Sequence, residues 1–256
     1  MDLVEPVEAE NERYAASLLF VHGLWAGPQL WRGFAQGFAH RGGGNATRDG
    51  RARDSEAIGF EGWRRSVESA VAGLDGPVVV VGHDAGGLIA LSMAERGEVA
   101  AAVSVAPLLG GVASLLGLAT RARGRLGMGW AEPPDGDHPY RQTASAQARA
   151  SIDALLAPEP AGRPASLRGR VLTPGAPVVP TLLVAQEDDT VVPGDLVEIT
   201  GAGIAAESIR LPGGHWAMLE GRPDPWIMPV HRWLIRRLGP SLLLLRGDED
   251  LVDEEI

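Results

Sequence analysis

Short apolar runs alternate with longer amphipathic ones along most of the chain. The runs at Ser17–Val21, Pro77–Val81, Val99–Val105, Val178–Ala185 and Ser208–Leu211 are bounded by turn residues and predict buried strands. Between them the apolar positions recur at helical spacing. Trp63, Val67, Ala70, Val71 and Leu74 share one face of a helix over 63–74. A second helix is expected over Gly87–Arg96, and Ile227, Val230, Leu234 and Leu238 stripe a third over Pro225–Leu238. Strands that alternate with helices imply an α/β fold: a mostly parallel sheet with helices on both faces.

One region breaks this rhythm. From about Pro107 to Gly175 no strand is predicted. The region holds Gly and Pro clusters, a basic patch (Arg121, Arg123, Arg125) and one helical stretch, Gln142–Leu156. An insertion of this size between two buried strands reads as a lid, mostly helical. The expected division is therefore a core of residues 1–107 and 177–256 and a lid of residues 108–176. Leu242–Leu245 reads either as an extra strand or as a contact in a homodimer. The stretch Arg41–Asn45, RGGGN, is a loop signal, and no Gly-Lys-Ser/Thr follows to make it a phosphate-binding loop.

Composition narrows the class. The chain has 256 residues, 45% of them apolar, which fits one globular domain with an insertion. No uncharged apolar run reaches the ~18 residues of a membrane span. The acidic start, MDLVEPVEAE, has no apolar signal core, so a cytoplasmic protein is expected. Absence of cysteine excludes disulfides, thiolate metal sites and a cysteine nucleophile. A net charge of −10 disfavours nucleic acid as a partner. Much of that charge lies in residues 247–256, which read as a solvated, mobile tail.

The candidate chemistry begins at Val78–Gly87, VVVVGHDAGG. A strand of four valines runs into a glycine-flanked turn that opens a helix. Such a turn strains its tip residue, Asp84, and pushes that side chain into open space. It also places the side chain at a helix N-terminus, where free N–H groups favour negative charge. An acid that follows a run of four valines is costly to bury without a purpose. Two further histidines follow strands: LLFVHGLW (Leu18–Trp25) ends in His22-Gly23, and LPGGHW (Leu211–Trp216) carries His215. Between the turn and His215, LVAQEDDTVVP (Leu183–Pro193) ends a strand with acids. His138 and His231 form no metal-ligand spacing, so neither a metal nor a cofactor is expected.

The order of tip residue, acid and histidine, with His-Gly upstream, resembles the α/β-hydrolase superfamily across nearly the whole chain. That resemblance implies the α/β-hydrolase fold and a triad of Asp84, Asp189 and His215, with Asp189 preferred to Asp188 for its place before Val191-Val192-Pro193. It implies an oxyanion hole built from the backbone N–H groups of Ala85 and of Leu24 or Trp25, and it makes His22 and His83 structural. Most such enzymes carry serine where this chain carries Asp84. A carboxylate that attacks an acyl carbon leaves a mixed anhydride, whereas on saturated carbon it leaves an alkyl ester that His215 and water can cleave.

An aspartate elbow resembles those of epoxide hydrolases and haloalkane dehalogenases. The dehalogenase pattern puts tryptophan after the nucleophile and asparagine after His-Gly; here Ala85 and Leu24 stand there, leaving Trp25 or Trp130 as indole donors. Fluoroacetate-type enzymes carry arginines in the next helix, and this one has none before Arg96. The epoxide hydrolase pattern has two lid tyrosines; here only Tyr140, with His138 beside it, is in the lid. HGLWAGPQLW and GGHWAMLE are closer to small bacterial esterases. The expectation is a cofactor-independent hydrolase that opens a small apolar epoxide to a diol through an Asp84 ester, with Tyr140 or His138 as proton donor. The alternatives are a haloalkane dehalogenase, or an esterase-like, cyclase, lyase or isomerase activity using Asp84 and His215 as acid and base.

Overall fold

The computed structural model describes residues 4–7, 15–41, 45–48, 59–109, 122–123, 130–141, 146–167, 174–219 and 224–239. The basic patch apart from Arg123, the run Leu242–Leu245 and the tail 247–256 lie outside the described residues.

Seven strands form one sheet: β1 (Val4–Val7), β2 (Ser17–Val21), β3 (Asn45–Arg48), β4 (Val78–His83), β5 (Ala101–Val105), β9 (Thr181–Gln186) and β10 (Glu207–Leu211), in the order β1-β3-β2-β4-β5-β9-β10. Every pairing is parallel except that of β1 with β3. β4 lies at the centre, and all six of its residues are buried. Branched side chains suit a strand covered on both faces, which explains the unbroken valine run. β10 is an edge strand, and its residues alternate between partly buried and exposed until Leu211 closes on the core. β1 and β3 escape sequence patterning because VEPV and NATR hold too few apolar residues to show a period. Pairing to β2, rather than local preference, makes β3 a strand.

The helices are α1 (Arg32–Ala39), α2 (Phe60–Ala72), α3 (Ala85–Arg96), α4 (Ala146–Leu155), α5 (Gly162–Leu167), α6 (Gly194–Gly203) and α7 (Asp224–Leu238). Almost every residue of α3 is buried, from Ala85 through Ala94, and the helix stops at Gly97 in the left-handed region (φ 70°). No helix among the described residues is long and apolar enough to cross a membrane.

The segment between β5 and β9 departs from the expectation of a strandless lid. β6 (Ala122–Arg123), β7 (Trp130–Ala131) and β8 (Glu159–Pro160) form a small antiparallel sheet. Two-residue strands cannot produce the four-residue alternation that sequence reading requires. The helix expected over Gln142–Leu156 is found as α4, Ala146–Leu155, residues 142–145 lying outside the described residues.

Candidate active site

Strand order reverses between β2 and β4, and in open α/β sheets the crevice beyond the strand C-termini at such a point collects ligands. His22-Gly23 follows β2, Asp84 follows β4, Asp189 follows β9 and His215 follows β10. Residues spread over most of the chain therefore converge because all lie at one end of a parallel sheet.

Asp84 has φ 56° and ψ −119°, a strained combination for a residue with a side chain. Such geometry costs about 1–3 kcal/mol and persists only where surroundings over-determine it. Here the Asp84 N–H donates to the Val105 carbonyl (3.0 Å), and the Asp84 carbonyl accepts from Leu88 and Leu108. The turn packs too tightly for side chains: a Cβ on Gly86 would lie 2.5 Å from the carbonyl oxygens of both Val21 and His22.

The Asp84 carboxylate is fully buried, and its two oxygens differ. Oδ2 accepts from the Leu24 N–H at 3.1 Å and from the Tyr140 hydroxyl at 3.0 Å. Oδ1 has no hydrogen-bond partner among the described residues. Gly23 makes this approach possible, since a Cβ there would lie 2.5 Å from Asp84 Cβ and 2.6 Å from Oδ2. Gly23→Ala is therefore expected to displace the carboxylate, lowering stability by about 1–3 kcal/mol and any turnover by about 100-fold. Urea denaturation and steady-state rates on the same preparation measure the two effects.

Asp189, not Asp188, reaches the histidine. Its Oδ2 accepts from His215 Nδ1 at 3.0 Å, while its Oδ1 is anchored by the N–H groups of Val191 (2.7 Å) and Val192 (2.9 Å). The Thr-Val-Val-Pro ending thus supplies the amides that orient the acid. With Nδ1 donating to Asp189, His215 Nε2 is left as the acceptor, and it has no partner among the described residues. His83 lies 4.5 Å from His215, ring to ring, and its Nε2 donates to the His215 carbonyl (2.9 Å). His22 donates through Nδ1 to the Gly23 carbonyl (2.8 Å). Both hold backbone beside the site, as their positions suggest.

Tyr140 occupies a short 3-10 turn, Pro139–Arg141, and is fully buried. A lone loop tyrosine is usually a packing residue, but this one packs edge-on against Trp25 (5.3 Å) and His215 (5.2 Å) and bonds Asp84. The Trp216 indole N–H holds its carbonyl at 2.6 Å. His138 stacks on the Tyr140 ring at 5.7 Å, and its Nδ1 accepts the Tyr140 N–H (3.3 Å).

The expectation for Trp25 needs correction. Its N–H does not face Asp84 but donates to Glu159 Oε1 at 3.1 Å, so Leu24 alone of that pair serves the carboxylate. The Trp25 indole Nε1 is buried with no partner among the described residues, whereas Trp130 is 40% exposed. Ala85 begins α3, directly after Asp84, and is buried. Glu159 and Arg163, both fully buried, escaped the sequence reading. Nothing in the Pro- and Gly-containing stretch Pro158–Arg163 marks burial of its two charges; only their i, i+4 placing was visible.

Burial raises the Asp84 pKa from 3.8 to about 7, against the opposing pull of His215, the Leu24 N–H and the Tyr140 hydroxyl. Burial lowers that of His215, but the Asp189 charge and hydrogen bond and the Asp84 charge outweigh it, and the net shift is upward. Burial and the Asp84 charge push Tyr140 well above the usual phenol range, so it stays a neutral donor. Burial, with His215 adjacent, holds His83 well below its ordinary value, so it stays neutral. Among the described residues no group of three or more His, Cys, Asp or Glu is placed to hold a metal ion.

Residues 18–227 match the model of the alpha/beta hydrolase family. The chain belongs to that family. No curated protein matches it in sequence. Similar solved structures include a putative non-heme bromoperoxidase, BpoC, from Mycobacterium tuberculosis (TM-score 0.70, 17% identity, covering 92% of this chain and 96% of that one). A monoacylglycerol lipase from Paleococcus ferrophilus is also similar (TM-score 0.68, 14% identity, 91% and 97% covered). So is MenH from S. aureus (TM-score 0.66, 15% identity, 93% and 99% covered). At these identities the likeness establishes the fold alone.

Proposed function

We propose that this family member hydrolyses a small apolar epoxide through a covalent ester on Asp84. The observation that supports it is the asymmetry of one carboxylate. Oδ2 is held by Leu24 and Tyr140, while Oδ1 and His215 Nε2 are both left without partners among the described residues. A carboxylate held through one oxygen is oriented to attack with the other.

Oδ1 attacks an epoxide carbon and the C–O bond breaks, its electron pair going to the departing oxygen. Tyr140, on releasing Oδ2, would protonate that oxygen, which leaves a hydroxyalkyl ester and a tyrosinate. His215 Nε2 then takes a proton from water as the hydroxide adds to the ester carbonyl carbon. The oxyanion forms on Oδ2, where the Leu24 N–H already points. Collapse expels the diol, which takes the His215 proton, and the Asp84 acid returns its own proton to Tyr140.

A second reading has its own support. A carboxyl group whose pKa stands at about 7, beside an imidazole and a neutral phenol, suits proton transfer in a lyase, cyclase or isomerase. Halide release from a haloalkane would use the same Asp84 step, with the Trp25 indole N–H, buried and without a partner among the described residues, as a candidate halide donor. Ester hydrolysis, which the name of the similar monoacylglycerol lipase implies for that protein, would require either an anhydride on Asp84 or Asp84 and His215 acting as acid and base. Within the segment 108–176, Tyr140 bonds the buried carboxylate and Ala157 and Glu159 bond Trp25 beside it, so this segment would serve as the lid that must lift to admit substrate.

A single turnover in oxygen-18 water, with enzyme in excess over an aryl epoxide, separates these readings. Unlabelled diol and label in the Asp84 peptide are expected, because both diol oxygens then come from epoxide and enzyme. Labelled diol in that first turnover rules out the ester.

A further inference from the structure

We infer that Glu159 is a positioning residue, clamping Trp25 so that the neighbouring Leu24 N–H is aimed at Asp84 only while the inserted segment is seated. The inference rests on Asp84 being the reacting carboxylate.

Trp25 is gripped on both sides of its backbone by one short stretch. The Ala157 N–H donates to the Trp25 carbonyl at 2.9 Å, and the Trp25 N–H donates to Glu159 Oε1 at 3.1 Å. Its ring is met edge-on by Tyr140 from the same inserted segment. The clamp is itself braced. Glu159 Oε2 lies 3.9 Å from Arg163 Nη1, both side chains being fully buried, and the Arg163 guanidinium sits 4.5 Å over the ring of Trp63 in α2. β8 also pairs Glu159 with Ala131 of β7.

Trp25 needs such a grip. Its φ of 56° is the left-handed region, which a tryptophan does not occupy without external restraint. On the other side of Leu24 stands Gly23, the residue with the widest backbone freedom. Leu24 thus lies between two peptide planes: the one that carries its own N–H is tied at the Gly23 carbonyl to His22, and the one that carries the Trp25 N–H is tied to Glu159. The contacts from Ala157 and Glu159 supply the second of these restraints, the one that belongs to the inserted segment. Lifting the inserted segment would break both hydrogen bonds together, let Trp25 relax and turn the Leu24 amide away from Oδ2. Closure would restore it, so the carboxylate is oriented only when the site is closed.

Two paired variants isolate the contact without stranding a buried charge. Glu159→Gln with Arg163→Met keeps an acceptor for the Trp25 N–H; Glu159→Leu with Arg163→Met removes it. The Asp84 carboxyl is titrated in each by carbon-13 NMR, assigned by difference from Asp84→Asn. The Leu24 hydrogen bond lowers the Asp84 pKa, so its loss raises the midpoint. The leucine pair is expected to titrate about one unit above the glutamine pair, and to lose about tenfold in kcat at unchanged KM on any epoxide turned over. Equal midpoints in the two pairs would overturn the inference, whatever the oxygen-18 result says about the ester. If either pair does not fold, amide exchange in the wild-type chain decides. Trp25 and Ala157 are expected to exchange at the same rate because they open as one unit; a Trp25 amide exchanging a hundredfold faster than Ala157 overturns the clamp.

Discussion

The His215→Gln protein is expected to keep an epoxide substrate bound covalently after the first step, with turnover reduced by about 1,000-fold or more. On the proposed route, attack on saturated carbon would use Asp84 Oδ1 and would not draw on His215. Cleavage of the resulting ester needs a base for water, and Nε2 is the acceptor that the Asp189 hydrogen bond leaves open. Glutamine is polar and of similar length but is no base near neutral pH. The intact mass should rise by one substrate, and the adduct should map to the peptide containing Asp84. Loss of the imidazole also removes a charge that lowers the Asp84 pKa, so alkylation is best run above pH 8. An unchanged mass with every epoxide that the wild type consumes would favour the acid–base reading.

Asp84→Asn is expected to abolish turnover and to stabilise the fold at the same time. The folded carboxyl titrates at about 7 against 3.8 for the ordinary group, because burial penalises its charge. The folded state therefore binds this proton more tightly than the unfolded one. The associated stability is fully present below about pH 3.8 and is lost as pH rises through about 7. Above that window the ionised carboxylate costs the native state on the order of a few kcal/mol. Asparagine keeps an oxygen for the Leu24 N–H and the Tyr140 hydroxyl but carries no charge. The variant should be more stable than wild type by about 2–4 kcal/mol at pH 8, with the difference shrinking toward pH 4. Urea midpoints at the two pH values test it; a difference that does not change with pH would show that Asp84 is not a raised, buried acid.

How much of this was legible from the residues differs by element. β4 and the turn after it could be read directly, since four branched apolar residues and flanking glycines admit few other structures. The preference for Asp189 over Asp188 comes from the resemblance and not from the residues themselves; the structure shows the Val191 and Val192 amides on Asp189 and its carboxylate on His215. Contacts within three residues depend on local chain geometry, whereas the reach to His215 depends on the sheet. β1, β3 and the small sheet of the inserted segment were not readable, because strands this short take their form from a partner.

The same division runs through the site. Sequence alone determined that an acid sits at a strained strand-to-helix bend, and that a second acid and a histidine follow at later strand ends. In a parallel sheet, all such ends share one side, so convergence follows from order. Tertiary structure alone decided which of two adjacent amides serves Asp84. Leu24 and Trp25 both follow His-Gly, yet Trp25 is claimed by Glu159, 134 positions away. It also decided that Tyr140 lies on the carboxylate rather than merely in a loop. Burial raised that carboxylate's pKa, and burial is a property of what covers a group. No local pattern carries it.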